Sequence, residues 1–313
     1  MTAVVTGFHG VEMMRDHKRF ICRGYGVLLL LPVMLLAGMA MHAVAGTDLD
    51  HGLLWEIRAD GVTKSYLFGT IHSEDPEVLS LAAPVQEAFD GAERIVLEVL
   101  MDMEAMVYSS SAMLLMDGRL LSDIIGRPLF EKAASAISSR GVPEVVLDRM
   151  KPWAVATALS VPPPETGLVL DLKLYQEAEQ AGKQLHGLET VREQLDVFDT
   201  LPEQDQVTLL KDALENMDLI DEMNTALLSA WKRRDLAAMV AISDESMQTG
   251  DQRIAREFEQ RLIVDRNRLM ADRVEPYLKQ GGSFIAVGAL HLPGDEGLLD
   301  LLEQRGYRLR VVY

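Results

Sequence analysis

The sequence has almost nothing with which to build thiol chemistry. Its 313 residues include one cysteine, Cys22, so everything beyond that position lacks a disulfide and a thiol nucleophile. Basic residues are also short, with 30 Lys and Arg against 48 Asp and Glu and a net charge of −18. That balance opposes binding to nucleic-acid phosphates or to an anionic membrane surface. No Ser/Gly/Pro-rich linker and no internal repeat interrupts the chain, and the local zinc signature H-E-x-x-H is missing. Any catalytic centre has to be assembled from residues far apart in sequence.

The one segment without a place in a globular core lies near the start. Positions 15 to 45 run from Arg15, Lys18, Arg19 and Arg23 into "VLLLLPVMLLAGMAMHAVAG". A basic start, an apolar centre and small residues at Ala43 and Ala45 are the parts of a secretory signal. Cleavage after Ala45 is expected, with an uncleaved membrane anchor as the alternative, and the expected location is periplasmic or otherwise outside the cytoplasm. Membrane attachment is expected only through this segment. The remainder carries 26 basic and 46 acidic side chains, near −20, and is long enough for one large core.

From residue 46 onward the pattern reads as a single α/β domain with a mixed or largely parallel sheet and flanking helices. "LLWEIRAD" and "KSYLFGT" form a hairpin around Asp60-Gly61. "APVQEAFDGA" is a short amphipathic helix, and "RIVLEVL" is a nearly continuous apolar strand of the kind buried on both faces. A helical insertion spans about 103–165, with a methionine-rich stretch from Met101 to Met116 that reads either as gap-filling core or as a flexible apolar binding surface. "GLVLDLKLYQEAEQAG" is a helix ending at Gly182, and "KQLHGLE" the strand after it. Two long amphipathic helices fill about 205–280, and "SFIAVGALHL" and "YRLRVVY" are strands around a last short helix.

Two tetrapeptides match: "GTIH" ending at His72 and "GALH" ending at His291. Their spacing is only a mild excess over chance, but each stands at the C-terminal end of an expected strand, where open α/β sheets bind ligands. Gly69 and Gly288 would let the backbone turn or approach a ligand closely. Only His51, His72, His186 and His291 follow the signal. Glu98 in "RIVLEVL" and Glu189 in "QLHGLET" set carboxylates in apolar surroundings, which requires a cation, a hydrogen-bond cluster or a metal. For Glu98 the plain alternative is an ion pair with Arg266, and for Glu189 a helix-capping role. Two histidines and two glutamates suit a divalent metal such as Mn, Co, Zn or Fe. His186 lies three residues before Glu189, but on a strand it points to the other side, and it reads as a sheet-face histidine. Glu74 and Asp75 read as solvated neighbours of His72, with a role in orienting it as the alternative.

The segments "LWEI", "YLFGTIHSEDPEVLSL", "KPWAVATAL", "GKQLHGLETVREQLDVF", the "RN" of "VDRNRLMADRV" and "GGSFIAVGALHLPGDEGLLDLLEQRGY", in that order, resemble the TraB/PrgY/GumN family, which includes the TIKI proteins. The resemblance covers almost all of residues 53–313. It implies an EreA/ChaN-like α/β scaffold and, through the TIKI branch, a divalent-metal-dependent protease acting on a peptide or protein. It maps His72 and His291 onto the two Gly-x-x-His motifs, Glu98 and Glu189 onto the family glutamates, and Arg266 and Asn267 onto the "RN" pair. The expectation is therefore a metal held by His72, His291, Glu98 and Glu189, with Glu98 or Glu189 as general base and Arg266 as oxyanion stabiliser. A non-catalytic peptide- or ligand-sequestering module and a hydrolase of a non-peptide ester are the alternatives.

Overall fold

A computed structural model describes residues 49–247 and 252–313. The expected export signal and Cys22 lie outside the described residues. Among those residues no helix is long and apolar enough to cross a membrane.

Six strands form one mixed sheet: β1 (Leu54–Arg58), β2 (Ser65–Thr70), β3 (Arg94–Leu97), β4 (Gln184–Gly187), β5 (Ser283–Gly288) and β6 (Arg308–Val311). Their spatial order is β4-β3-β5-β2-β1-β6. β1 and β2 make the expected antiparallel hairpin, with Gly61 at φ +73° in the turn, and β6 adds antiparallel to β1. The strands β4, β3, β5 and β2 run parallel to one another. Their carboxyl ends, Gly187, Leu97, Gly288 and Thr70, therefore share one edge of the sheet. Beyond β3 the chain returns as β4 on one side, and beyond β5 it returns as β6 on the other. Where connections leave adjacent strands in opposed directions, open α/β sheets bind ligands at the carboxyl edge, and here that place lies between β3 and β5.

β5 is buried from Ser283 through Val287, as its unbroken apolar run requires. Phe284 packs against Phe68 and Phe89 at centroid distances of 5.8 and 5.5 Å. Trp231 meets Phe68 edge-on at 6.4 Å and donates its indole N–H to the Gly69 carbonyl at 3.0 Å. "KPWAVATAL" forms the helix Pro152–Ser160, apolar around nearly its whole circumference and buried to match. Trp153 stacks on Phe198 at 5.6 Å, and its indole N–H and Lys151 Nζ both donate to Asp199 Oδ1.

The region expected as two long helices is a string of shorter ones: Glu203–Glu215, Met217–Lys232, Leu236–Met247, Gln252–Glu259 and Asp265–Gln280. Asn216 leaves helical geometry at φ −130°, and Arg234 enters the left-handed region at φ +60°. Asp235 then caps the next helix by accepting from Ala238 N. Periodicity survives such breaks because each helix still turns one apolar stripe inward, so the pattern alone does not reveal them.

The helix Val191–Asp199 starts at a capping box in which Thr190 and Glu193 satisfy each other's backbone N–H groups. Glu193 also takes both terminal nitrogens of Arg273 at 2.8 and 2.7 Å, joining this helix to Asp265–Gln280. Arg273 holds the Glu193 carboxyl down to about 2.

At the opposite side of the sheet Glu56, buried on β1, faces Arg58, Lys64 and Arg310 within 3.1 Å. Burial pushes this carboxyl upward, but the hydrogen bonds from Arg58, Arg310 and Lys64 prevail and hold it at about 2. A carboxyl depressed on folding stabilises the native state above its unfolded value and loses that contribution as pH falls toward its folded value. Glu56→Gln is expected to cost about 2 kcal/mol at pH 7. The gap to the parent should shrink between about pH 4.5 and 2, which thermal denaturation followed by circular dichroism across that range checks.

Candidate active site

The two Gly-x-x-His motifs leave the sheet side by side, because Thr70 of β2 is in register with Gly288 of β5. After Gly288 the chain makes a single 3₁₀ turn, Ala289–His291, which folds the imidazole back over the strand end. Neither glycine is there for a left-handed turn. A Cβ at Gly69 would lie 2.8 Å from Leu292 Cδ1 and 3.0 Å from Ala289 Cα, so the absent side chain lets the second motif pack on the first. A Cβ at Gly288 would lie 3.3 Å from Glu98 Oε1 and 3.4 Å from His291 Cδ2, so here it leaves room for the site itself.

Glu98 is the first residue beyond β3, and its carbonyl accepts from Glu189 N at 2.7 Å, which places both glutamates at adjoining strand ends. Their carboxylates share one cation, Arg266. Its Nη2 donates to Glu98 Oε2 at 2.8 Å and to Glu189 Oε2 at 2.7 Å, while Nε reaches both Glu189 oxygens at 3.0 Å. Gln194 Nε2 donates to Oε2 of both glutamates at 3.2 Å. Glu98 Oε1 accepts the Gly288 N–H. Burial raises the Glu98 carboxyl, but the charges of Arg266 and His291 and the Gly288 N–H outweigh it and hold the group at about 2. Burial lowers Arg266, and the two carboxylates more than reverse that, so the guanidinium stays charged.

Arg266 and Asn267 reach the site from the helix Asp265–Gln280, which a π turn over Gln260–Val264 precedes. In that turn Asp265 N bonds to Gln260 O, one residue wider than α-helical spacing. The extra residue sets the phase at which the "RN" pair emerges. Asn267 is fully buried; its Nδ2 donates to the Glu296 carbonyl at 2.7 Å, which leaves Oδ1 facing His291 Nδ1 at 2.6 Å. Only a protonated Nδ1 satisfies that contact, so neutral His291 carries its lone pair on Nε2. Nε2 stands 3.7 Å from Glu98 Oε1. Two acceptors thus face a common gap with no hydrogen between them. Burial and then the Arg266 charge lower the His291 pKa to about 4.

His72 lies at the end of the neighbouring strand with 66% of its side chain exposed and Nδ1 3.6 Å from Asp171 Oδ2. Thr70 Oγ1 donates to Asp171 Oδ1 at 2.7 Å, so a residue of β2 orients the carboxylate that orients His72. The Asp171 carboxylate raises the His72 pKa. Asp171 and Gln194 were not singled out in the sequence. Asp171 is the second residue of the helix Leu170–Gln180, and nothing local marks it.

The structure gathers Glu98, Glu189, Arg266, Asn267 and His291 into one cluster, with His72 at its open side. His186 is elsewhere: it pairs with Val96 across the sheet, and its ring lies 4.8 Å from Tyr277. Glu189 has no capping role, since Thr190 caps the helix. Glu74 and Asp75 are not free in solvent. Glu74 accepts three successive N–H groups, of Glu165, Thr166 and Gly167, and Asp75 caps the helix at Pro76 and pairs with Lys232 at 2.9 Å.

The expected ligand set does not gather as a whole. Among the described residues no three His, Cys, Asp or Glu side chains converge on one point, and both Glu189 oxygens are taken by Arg266. Arg266 directs Nε and Nη2 to carboxylates and Nη1 to the Leu262 carbonyl at 3.3 Å, which leaves it poorly placed to stabilise an oxyanion. His291 Nε2 and Glu98 Oε1 do fit a divalent cation: an unprotonated imidazole and an ionised carboxylate oxygen across one gap.

A family model for the TraB/PrgY/gumN family matches residues 53–311. The chain belongs to this family. It is 25% identical to "Metalloprotease TIKI1" of Danio rerio, covering 84% of this chain and 63% of that protein. It is 26% identical to "Metalloprotease TIKI2" of Danio rerio, covering 83% and 60%, and 26% identical to "Metalloprotease TIKI2" of Xenopus tropicalis, covering 93% and 66%. The chain thus spans about three-fifths to two-thirds of the length of these curated relatives. No solved structure matches. The chain carries two Gly-x-x-His motifs, and their glycines are explained by the clearance that Glu98, His291, Ala289 and Leu292 need.

Removing the shared cation should be costly. Arg266→Met leaves two clustered carboxylates without their partner, and a loss of about 3–5 kcal/mol in urea denaturation is expected. A buried histidine with lowered pKa contributes stability above its ordinary value near 6.5 that is lost as pH falls toward about 4. His291→Phe should therefore flatten the stability profile between those two values.

Proposed function

We propose that the protein is an exported, divalent-metal-dependent hydrolase that cleaves peptide bonds. The observation that carries this reading is the gap between His291 Nε2 and Glu98 Oε1, two acceptors brought together at the carboxyl edge of the sheet beside the exposed His72. The relatives named metalloproteases support it. His291 Nε2 and Glu98 Oε1 would hold the cation, with His72 exposed at the neighbouring strand end, and the cation when bound would lower the pKa of a coordinated water toward neutrality.

The chain's own residues supply the rest. Asn267 and the Glu296 carbonyl keep the proton of the neutral His291 ring on Nδ1, which leaves Nε2 bare. Asp171 and Thr70 orient His72. Glu189, with both oxygens engaged, acts by holding Arg266, and Arg266 acts by holding Glu98 ionised and fixed. In this reading the segment ending at Ala45 is the export signal.

The complete pairing of Arg266 with two carboxylates favours a second reading, in which the cluster is structural and the carboxyl edge captures a ligand without turnover. The two separate cleanly. Incubation with a peptide mixture and Mn, Co or Zn, with and without chelator, is expected to yield new peptide termini by mass spectrometry only when the metal is free to bind. His72→Ala and His291→Ala should each lower the rate by ~100-fold or more. Saturable peptide retention with no new termini would establish the second reading instead.

A further inference from the structure

The helix Met103–Ala112 presents its apolar side chains outward. Met103, Met106 and Val107 are 75%, 42% and 63% exposed. Their spacing of three and four residues puts them on one stripe, whereas Ala105, on another face, is buried. A stripe of this kind normally faces a core. Here it is left in solvent beside the candidate site.

Its position relates it to that site. The helix is capped by Asp102, four residues beyond Glu98, and packs along Val191–Asp199, whose Gln194 touches both glutamates. Arg192 stacks on Tyr108 at 4.2 Å between the two helices. At the far ends of both helices lies a cavity of about 490 Å³, lined by Leu114, Leu115, Met116, Lys151, Asp199 and Glu203 among others. Met116, 79% exposed, stands at its rim. The apolar stripe thus occupies the half of the helix nearer the carboxylates, and the exposed Ser110 and Ser111 separate it from a pocket large enough for a side chain. The ten-residue helix is ~15 Å long, the reach of about five residues of extended chain.

We propose that the stripe and the pocket form a docking surface for an extended polypeptide carrying apolar side chains flanked by basic ones. Methionine suits a surface that accepts varied apolar partners, because it is unbranched and polarisable. The basic flanks follow from charge complementarity. Asp102 and Glu104 are exposed on either side of Met103, and the chain as a whole carries −18. In the cavity Lys151 and Arg119 are already neutralised by Asp199, Asp117 and Glu203, so an acidic segment finds no free cation there. The substrate class rests on the hydrolase reading, but the surface does not: a capture module would use it equally.

The test separates the two. A fluorescein-labelled twelve-residue peptide of leucines flanked by lysines, its four-residue fragment, and a glutamate-flanked twelve-residue control are titrated against the protein by fluorescence anisotropy. Cleavage of the unlabelled peptides with Mn is followed in parallel. The parent should bind the basic twelve-residue peptide at least tenfold more tightly than either other probe, and Met103→Ser/Met106→Ser/Val107→Ser should lose that preference while still cutting the short fragment at the parental rate. Equal affinity of parent and triple variant for the long peptide, or no preference over the fragment or the acidic control, overturns the proposal. Preferential binding with no cleavage of any peptide upholds the surface and overturns the peptidase reading.

Discussion

Everything at the carboxyl edge of the sheet depends on one guanidinium between two carboxylates. Glu98 and Glu189 stand at adjoining strand ends because β3 and β4 are parallel neighbours, so the sheet alone would force like charges together. Arg266 resolves that conflict and keeps Glu98 ionised in a site that would otherwise protonate it. Ionised and fixed, Glu98 can take the Gly288 N–H and still offer Oε1 toward His291. Remove the shared cation and the remaining contacts lose their reason for being where they are.

The same interaction reshapes the expected chemistry. A reading from residue types puts two histidines and two glutamates around a metal, with an arginine poised for an oxyanion. Geometry divides those residues into a bracing set, Glu189, Arg266 and Gln194, and an offering set, Glu98 and His291, with His72 exposed at the open side. Asn267 belongs with the second group although it never reaches the gap: by giving its amide hydrogen to a backbone carbonyl it decides which nitrogen of His291 is bare.

Much of this was legible in the sequence because the signals were short-range or chemically costly. The hairpin at Asp60-Gly61, the buried run of β5 and the strand-end position of both Gly-x-x-His motifs follow from turn chemistry and periodicity. A carboxylate in "RIVLEVL" announced a buried partner, and Arg266 is that partner. What escaped was long-range or phase-dependent. Asp171 is found only when the helix Leu170–Gln180 is laid beside β2, and the breaks at Asn216 and Arg234 leave the apolar stripe intact. The methionines of 101–116 read by pattern as gap-filling core ahead of a binding surface, and the structure instead turns Met103, Met106 and Met116 outward. Glu74 and Asp75, expected in solvent, are bound because a loop more than ninety residues away and Lys232 come to meet them.

The capping box at Thr190 has a wider reach than its place on the surface suggests. Glu193 both starts the helix that delivers Gln194 and grips Arg273 on the helix that delivers Arg266. Two parts of the centre are thereby hung from one outer strut. Genetic variation at such a position would be read in an assay as a lesion of the reactive centre, although the altered side chain never meets the substrate, and a screen for functional residues would map the centre as larger than it is.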